Sequence, residues 1–251
     1  MSLEAHQKTG TRSIVVVRLL TGMLATLSLA GCLATIKAED KRVFLPALRA
    51  GINLDGSDQA ASEPQTGHAL EFEYARAAGS GNQLLSSGDH INLNYTSFVG
   101  PQPLRNEFKF SFVDMSWRWR KFFRERSLGL ELLGGVGYSS LDLTVISPAQ
   151  RDSERFGNVG GQGRVGLIWR FDPNRSLQAR VGGFASGADH GVTTMTRYEL
   201  FYAHALGENL TLRAGYAGSE LFGKQGAGKS DFRLLFSGPA FVLDWDINAS
   251  N

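Results

Sequence analysis

Cysteine is nearly absent from this chain: Cys32 is the only one among 251 residues, so no disulfide can form within it. Proline is scarce, 7 residues against 30 glycines, which leaves long stretches free to pair as strands. Neither sign of charge dominates. The formal net charge is +2, which gives no electrostatic basis for a nucleic-acid partner. No apolar run reaches the roughly 20 residues that a membrane-spanning helix needs. With a mean hydropathy of −0.15, a helical membrane protein is excluded.

What the chain does contain is alternation. Phe108, Phe110 and Phe112 alternate with Lys109 and Ser111. The apolar side then shifts by one residue, to Val113, Met115, Trp117 and Trp119, with Asp114, Ser116, Arg118 and Arg120 between them. A strand sends successive side chains to opposite faces, so one face is aromatic and the other charged. The same pattern recurs along most of the chain and predicts about ten antiparallel strands, or about eight if 77–99 is partly loop.

The first strand covers 45–55 and the second 68–76. A Gly- and Ser-rich stretch, 77–89, precedes a third strand over 90–99, with Ile91, Leu93 and Tyr95 on one face. Strand four is the Phe108–Phe123 segment, and later strands present Leu128–Tyr138, Val159–Phe171, Leu177–Val181, Tyr198–Tyr202 and Leu210–Tyr216. The last spans 231–247 and changes phase near Gly238-Pro239, where a bulge is expected. Connections alternate between short turns (124–127, 172–175, 207–209) and longer polar loops (56–67, 146–158, 223–230). Trp117, Trp119, Trp169, Tyr202 and Trp245 fall near the strand ends that meet the short turns. That placement suits an aromatic girdle at one membrane surface.

Residues 1–31 read as an export signal. Lys8, Arg12 and Arg18 form a positive region, and an apolar segment runs from Leu19 to Ala30. It ends at Leu29-Ala30-Gly31-Cys32, which resembles the lipobox of bacterial lipoproteins. That resemblance implies acylation of Cys32; cleavage after Ala34 or Ala38, discarding Cys32, is the alternative. Residues 32–44 then form a periplasmic linker and 45–251 the β-domain.

Over roughly 45–247 the pattern resembles the small Gram-negative outer-membrane β-barrels of the OmpA-transmembrane and OmpW-like kind. The resemblance implies an all-β, antiparallel up-and-down transmembrane barrel. It places the chain in the outer membrane of a Gram-negative bacterium, with outer-membrane lipid, lipopolysaccharide and the barrel-insertion machinery as partners. Phe241, Leu243 and Trp245 resemble the terminal strand read by that machinery, although here the chain continues through Asn251.

Charges expected inside such a barrel must be paired. Arg49, Arg118, Arg164, Arg180, Arg197, Arg213 and Arg233 are set against Glu71, Glu73, Asp114, Glu131 and Glu199, with Arg170 and Asp244 also on this face. An interlocked salt-bridge network plugging the interior is the expectation; a narrow ion path favouring anions, through excess Arg, is the alternative. Further alternatives are a lipid A- or peptide-processing barrel enzyme and a soluble, lipocalin-like periplasmic lipoprotein with its charges outward.

Two nucleotide motifs are rejected. Gly223-Lys224-Gln225-Gly226-Ala227-Gly228-Lys229-Ser230 matches the phosphate-binding loop letter for letter, but Phe232, Leu234 and Phe236 follow as strand where the chemistry needs a helix. Gly161-Gln162-Gly163-Arg164-Val165-Gly166 runs into strand in the same way. None of His68, His90, His190 or His204 has Ser two residues on, and adjacent Asp189 and His190 would point oppositely on a strand. No convergent catalytic set is found. The expectation is therefore no enzyme, no nucleotide, no metal and no cofactor, with a structural or loop-mediated binding role.

Overall fold

The structure is a computed structural model that describes residues 33–54, 67–123, 127–188, 191–226 and 228–248. The expected export signal, Cys32, most of the 56–67 loop and the Asp189-His190 pair lie outside the described residues. Twelve strands are present among the described residues: β1 (Ile36–Asp40), β2 (Leu45–Asn53), β3 (Gly67–Leu85), β4 (His90–Leu93), β5 (Thr96–Val99), β6 (Gln102–Phe123), β7 (Leu128–Ile146), β8 (Arg151–Asp172), β9 (Arg175–Ala188), β10 (Gly191–Ala205), β11 (Leu210–Gln225) and β12 (Phe232–Asn248).

Nine of them close a ring, in the order β2-β3-β6-β7-β8-β9-β10-β11-β12 and back to β2. Neighbours are antiparallel except at the closure, where β12 and β2 run parallel with Asp244 opposite Arg49. An odd number of strands requires one such parallel pair. The expected third ring strand is instead a separate hairpin, β4–β5, so the ring holds nine strands rather than ten. Its turn is Asn94-Tyr95, with Asn94 at φ 48°, and Tyr95 points into solvent rather than joining Ile91 and Leu93.

Several expected loops are strand. β3 continues through the Gly- and Ser-rich stretch to Leu85, and β7 and β8 absorb most of 146–158, leaving 147–150 as a turn. Pairing partners explain this: Ala77–Leu85 lies opposite Gln102–Phe110 of β6, and Ser153–Phe156 opposite Leu141–Thr144 of β7. The linker expected over 32–44 contains β1, which pairs in parallel with Phe232–Phe236 of β12. β1 passes under the inner face of β3. A Cβ on Gly81 would lie 2.7 Å from the Glu39 nitrogen, so only glycine admits the crossing strand. Asn106 Nδ2 and Gln83 Nε2 donate to the Lys37 and Thr35 carbonyls at 2.6 and 2.9 Å.

The two apparent phase changes are not irregularities of the backbone. β6 alternates without interruption, so Phe108, Phe110, Phe112, Asp114, Ser116 and Arg118 all point inward. Likewise β12 pairs continuously with β11 through Gly238 and Pro239, with no bulge. What reverses is the chemistry of the two faces. Near the end that carries the short turns, the inside is charged and the outside apolar. Further along the same strands, the inside is apolar and the outside polar.

The apolar inner half contains Phe108, Phe110, Phe112, Phe184, Phe232, Phe236, Leu143, Leu221 and Leu234, all buried. Phe112 meets Phe184 edge-on at 5.3 Å, and Phe108 lies 5.3 Å from Phe236. Each such ring contributes about 1.5–3 kcal/mol through burial. The β4–β5 hairpin closes this end as a lid, with Ile91, Leu93 and Phe98 fully buried beneath it. Lid and ring are joined by Asn92 N to Ser230 Oγ at 3.0 Å, Ser230 N to Asn92 O at 3.1 Å and Asn94 N to Glu154 Oε2 at 3.0 Å. The segment that mimics a phosphate-binding loop is therefore the latch for this lid.

Candidate functional site: the charged interior

The half of the interior nearer the short turns is built from β2, β3, β6, β7, β8, β9, β10, β11 and β12, each sending one or more ionised side chains inward. Glu73 is its hub. It accepts from Arg49 Nε at 3.0 Å, Arg164 Nη1 at 2.6 Å and Arg197 Nη2 at 2.5 Å. Glu71 accepts from Arg118 Nη1 at 3.0 Å and Arg180 Nη1 at 2.9 Å. Glu199 bridges Arg49 at 2.7 Å and Arg197 at 2.9 Å. Asp114 takes Arg164 Nη2 at 2.7 Å, and Glu131 takes Arg120 at 2.6 Å and Arg180 at 2.7 Å. Arg213 pairs with Asp244, and Arg118 reaches Asp246 at 3.1 Å.

Seven arginines thus meet seven carboxylates, most of them almost wholly inaccessible to solvent. Arginine suits this role because its planar fork serves two carboxylates at once without losing its charge. Glycines make room for it: a Cβ on inward-facing Gly182 would collide with the Arg164 side chain. The expected members Arg49, Glu71, Glu73, Asp114, Arg118, Glu131, Arg164, Arg180, Arg197, Glu199 and Arg213 all lie in this interior. Arg233 does not. It points outward and pairs with Glu220 at 2.7 Å, because its inward neighbours on β12 are Phe232 and Leu234. Arg120 and Asp246, which the alternation of β6 and β12 puts on the charged face, join the network beyond its expected members, through Glu131 and Arg118. Arg170 donates to the Pro173 carbonyl at 2.7 Å, at the turn. The arginine excess that favoured an anion path is therefore absent from the paired set.

Between the charges and the apolar half lies a void of about 30 Å³, lined by Arg49, Arg197, Glu199, Phe110, Phe201 and Phe236 among others. At the turn end a shallow vestibule of about 140 Å³ opens beside Arg120, Arg170, Gln178 and Asp246. The network stands between the two. Outside the ring, Trp117, Trp169, Tyr202 and Trp245 are 44–56% exposed, and His68 stacks on Trp117 at 5.1 Å. Trp119 also faces outward, half-buried. Farther from the turns, the Asp142 carboxyl is held below its ordinary range by a hydrogen bond from Arg155.

His90 sits in the lid and His204 on the outer face of β10, so neither reaches the carboxylates of the interior. Among the described residues no group of three or more His, Cys, Asp or Glu is placed to hold a metal. Compared with known proteins, the chain matches no protein-family profile, no curated protein and no solved structure.

Proposed function

We propose that this chain is an integral outer-membrane β-barrel with a closed interior, serving a structural role or binding through its exposed end. The observation that carries the reading is the polarity of the turn-end half: a fully paired set of charges inside, and outside it Leu48, Phe72, Val113, Met115, Trp117, Leu132, Val136, Leu167, Leu200, Leu212, Phe241 and Leu243 exposed. Charges take the inside of a transmembrane barrel and apolar residues face lipid. In water that arrangement would expose a large continuous apolar patch.

The dimensions agree. On β7 the outward apolar run from Leu128 to Tyr138 covers eleven residues, and about 9–11 tilted residues cross a bilayer. Tracing partners once around the ring from Gly51 leads through Glu71, Ser116, Gly135, Gln162, Phe184, Met195 and Leu221 to Leu234. Gly51 also pairs directly with Asp246, twelve residues farther along β12. Such a stagger for nine strands goes with a tilt of about 45°, as barrels of this size show. β6 and β8, at 22 residues, are about twice as long as the bilayer needs, so their far halves stand in water. There the ordinary rule for soluble proteins returns, apolar inside and polar outside. A soluble, lipocalin-like reading fits that half alone.

The mature chain taken from outer-membrane fractions should resist carbonate extraction and shift in gel mobility between unheated and boiled samples. Full release by carbonate with no shift would sink the reading. In planar bilayers the inserted protein should stay silent at all voltages, since the paired charges and the apolar plug are stacked in series. Steady single-channel currents would favour the ion-path alternative.

Orientation is also testable. With the short turns toward the periplasm, the lid end faces outward, and β1 belongs to that end through its pairing with Phe232–Phe236. An epitope inserted just before Leu33 should bind antibody on intact cells, whereas one appended after Asn251 should require permeabilised cells. The opposite pattern would invert the barrel.

A further inference from the structure

Building on that reading, we propose that the outer wall of β3, β6, β7 and β8, immediately above the apolar band, binds the phosphorylated headgroup of a membrane lipid. The register stacks the outward side chains of these four strands in rows. Tyr74, Val113, Tyr138 and Val159 form the last apolar row. The next holds Arg76, Ser111, Ser140 and Gly157, and the one after it Ala78, Lys109, Asp142 and Arg155. Two rows farther on come Arg105 and Arg151 on either side of Ile146. Successive rows lie about 6.6 Å apart along the strands, so at the barrel's tilt the cations begin within the depth of a headgroup layer.

Charge on this wall is unbalanced. Five cations face two carboxylates, Glu107 and Asp142. Arg155 is engaged by Asp142, and Glu107 is shared between Arg105 at 3.1 Å and Arg151 at 4.0 Å. Arg76 and Lys109 are exposed and make no direct ion pair among the described residues, although Lys109 lies opposite Asp142 and acts on its carboxylate. The wall is also concave. It forms a saddle of about 780 Å³ whose lining includes the cations Arg105, Lys109, Arg151 and Arg155, with Glu107, Asp142 and Glu154 among them. On the opposite wall the corresponding outward positions of the described residues hold Ala185, Thr194, Thr196, Phe222 and two cations, Lys224 and Arg233, of which Arg233 is paired with Glu220. A doubly anchored ligand fits this arrangement: acyl chains on the apolar rows below, phosphate on the cations above. A soluble protein partner would have no use for the register between the two.

The full mature protein would be inserted into nanodiscs of phosphatidylcholine alone and of phosphatidylcholine with a minor fraction of a phosphate-monoester lipid, such as phosphatidic acid. Lipid retained on the protein after detergent extraction would then be identified by mass spectrometry. The wild type should enrich the phosphate-monoester lipid over its share in the disc. Lys109→Gln should lower that enrichment about fivefold, the factor expected for one cation at an anionic surface. Raising the salt to about 1 M, where the screening length is about 3 Å, should abolish it. Lys224→Gln, on the far wall, should leave it unchanged. Equal retention of both lipids by the wild type, or an enrichment untouched by Lys109→Gln and by salt, would overturn the inference. If every variant still shows the heat-dependent gel shift, such a result condemns the lipid site and leaves the barrel standing. Loss of the shift in the wild type would instead condemn the barrel.

Discussion

Replacing Glu73 with alanine is expected to be the most damaging single change in the charged interior, costing about 3–5 kcal/mol. Three guanidinium groups, from Arg49, Arg164 and Arg197, converge on this one carboxylate, whose side chain is fully buried. Removing it leaves positive charge without compensation, and the void of about 30 Å³ beside Arg49 and Arg197 is too small to hydrate three guanidiniums. The temperature at which the folded gel band converts to the unfolded one should drop sharply, and the urea midpoint should fall with it. Glu220→Ala removes the partner of Arg233 on the outer surface, where solvent replaces the lost interaction, and should change stability by less than about 0.5 kcal/mol. Equal effects for the two would mean that the interior charges are solvated.

Met115→Arg should cost about 2 kcal/mol once the protein is in a bilayer, because Met115 lies one row inside the last apolar row of the lipid face and the penalty for a cation falls from the midplane toward the interfaces. Met115 points outward between Val113 and Trp117, and its neighbours across the strands are Phe72 and Val136. Its side chain is 42% exposed, so the substitution meets no steric obstacle from the protein itself. Ser111→Arg lies four residues along the same strand and on the same face, beyond the last apolar row, and should cost no more than about 1 kcal/mol. Reversible unfolding from vesicles would measure both. If Met115→Arg is as mild as Ser111→Arg, the apolar band does not face lipid.

Much of this architecture is legible in the residues. Alternation of Leu48 with Arg49, of Phe72 with Glu71 and Glu73, and of Leu200 with Glu199 is enough to assign one face to charge and the other to an apolar environment, because the period of a strand is fixed at two. The aromatic residues Trp117, Trp169, Tyr202 and Trp245 could be placed outside on the same grounds. The partners within the interior could not be found this way. Glu73 and Arg197 are 124 residues apart, and they meet only because a staggered ring brings β3 and β10 across from one another.

The reversal of polarity along β6 and β12 marks the boundary most clearly. From the sequence, Phe112 followed by Val113 reads as a slip in phase, and the Pro239 region reads as a bulge. Local pattern assumes one environment for the whole strand. On the proposed membrane reading these strands cross two. The order of residues determined that this is an all-β chain with charged and apolar faces. Only the tertiary structure decided that nine strands close the ring, that β1 and the β4–β5 hairpin seal its far half, and that Phe108, Phe110 and Phe112 share a face with Asp114 and Arg118. The reason is physical: which side of a strand should be apolar depends on what lies on each side of it, and that is set by closure of the ring, not by neighbours in the chain.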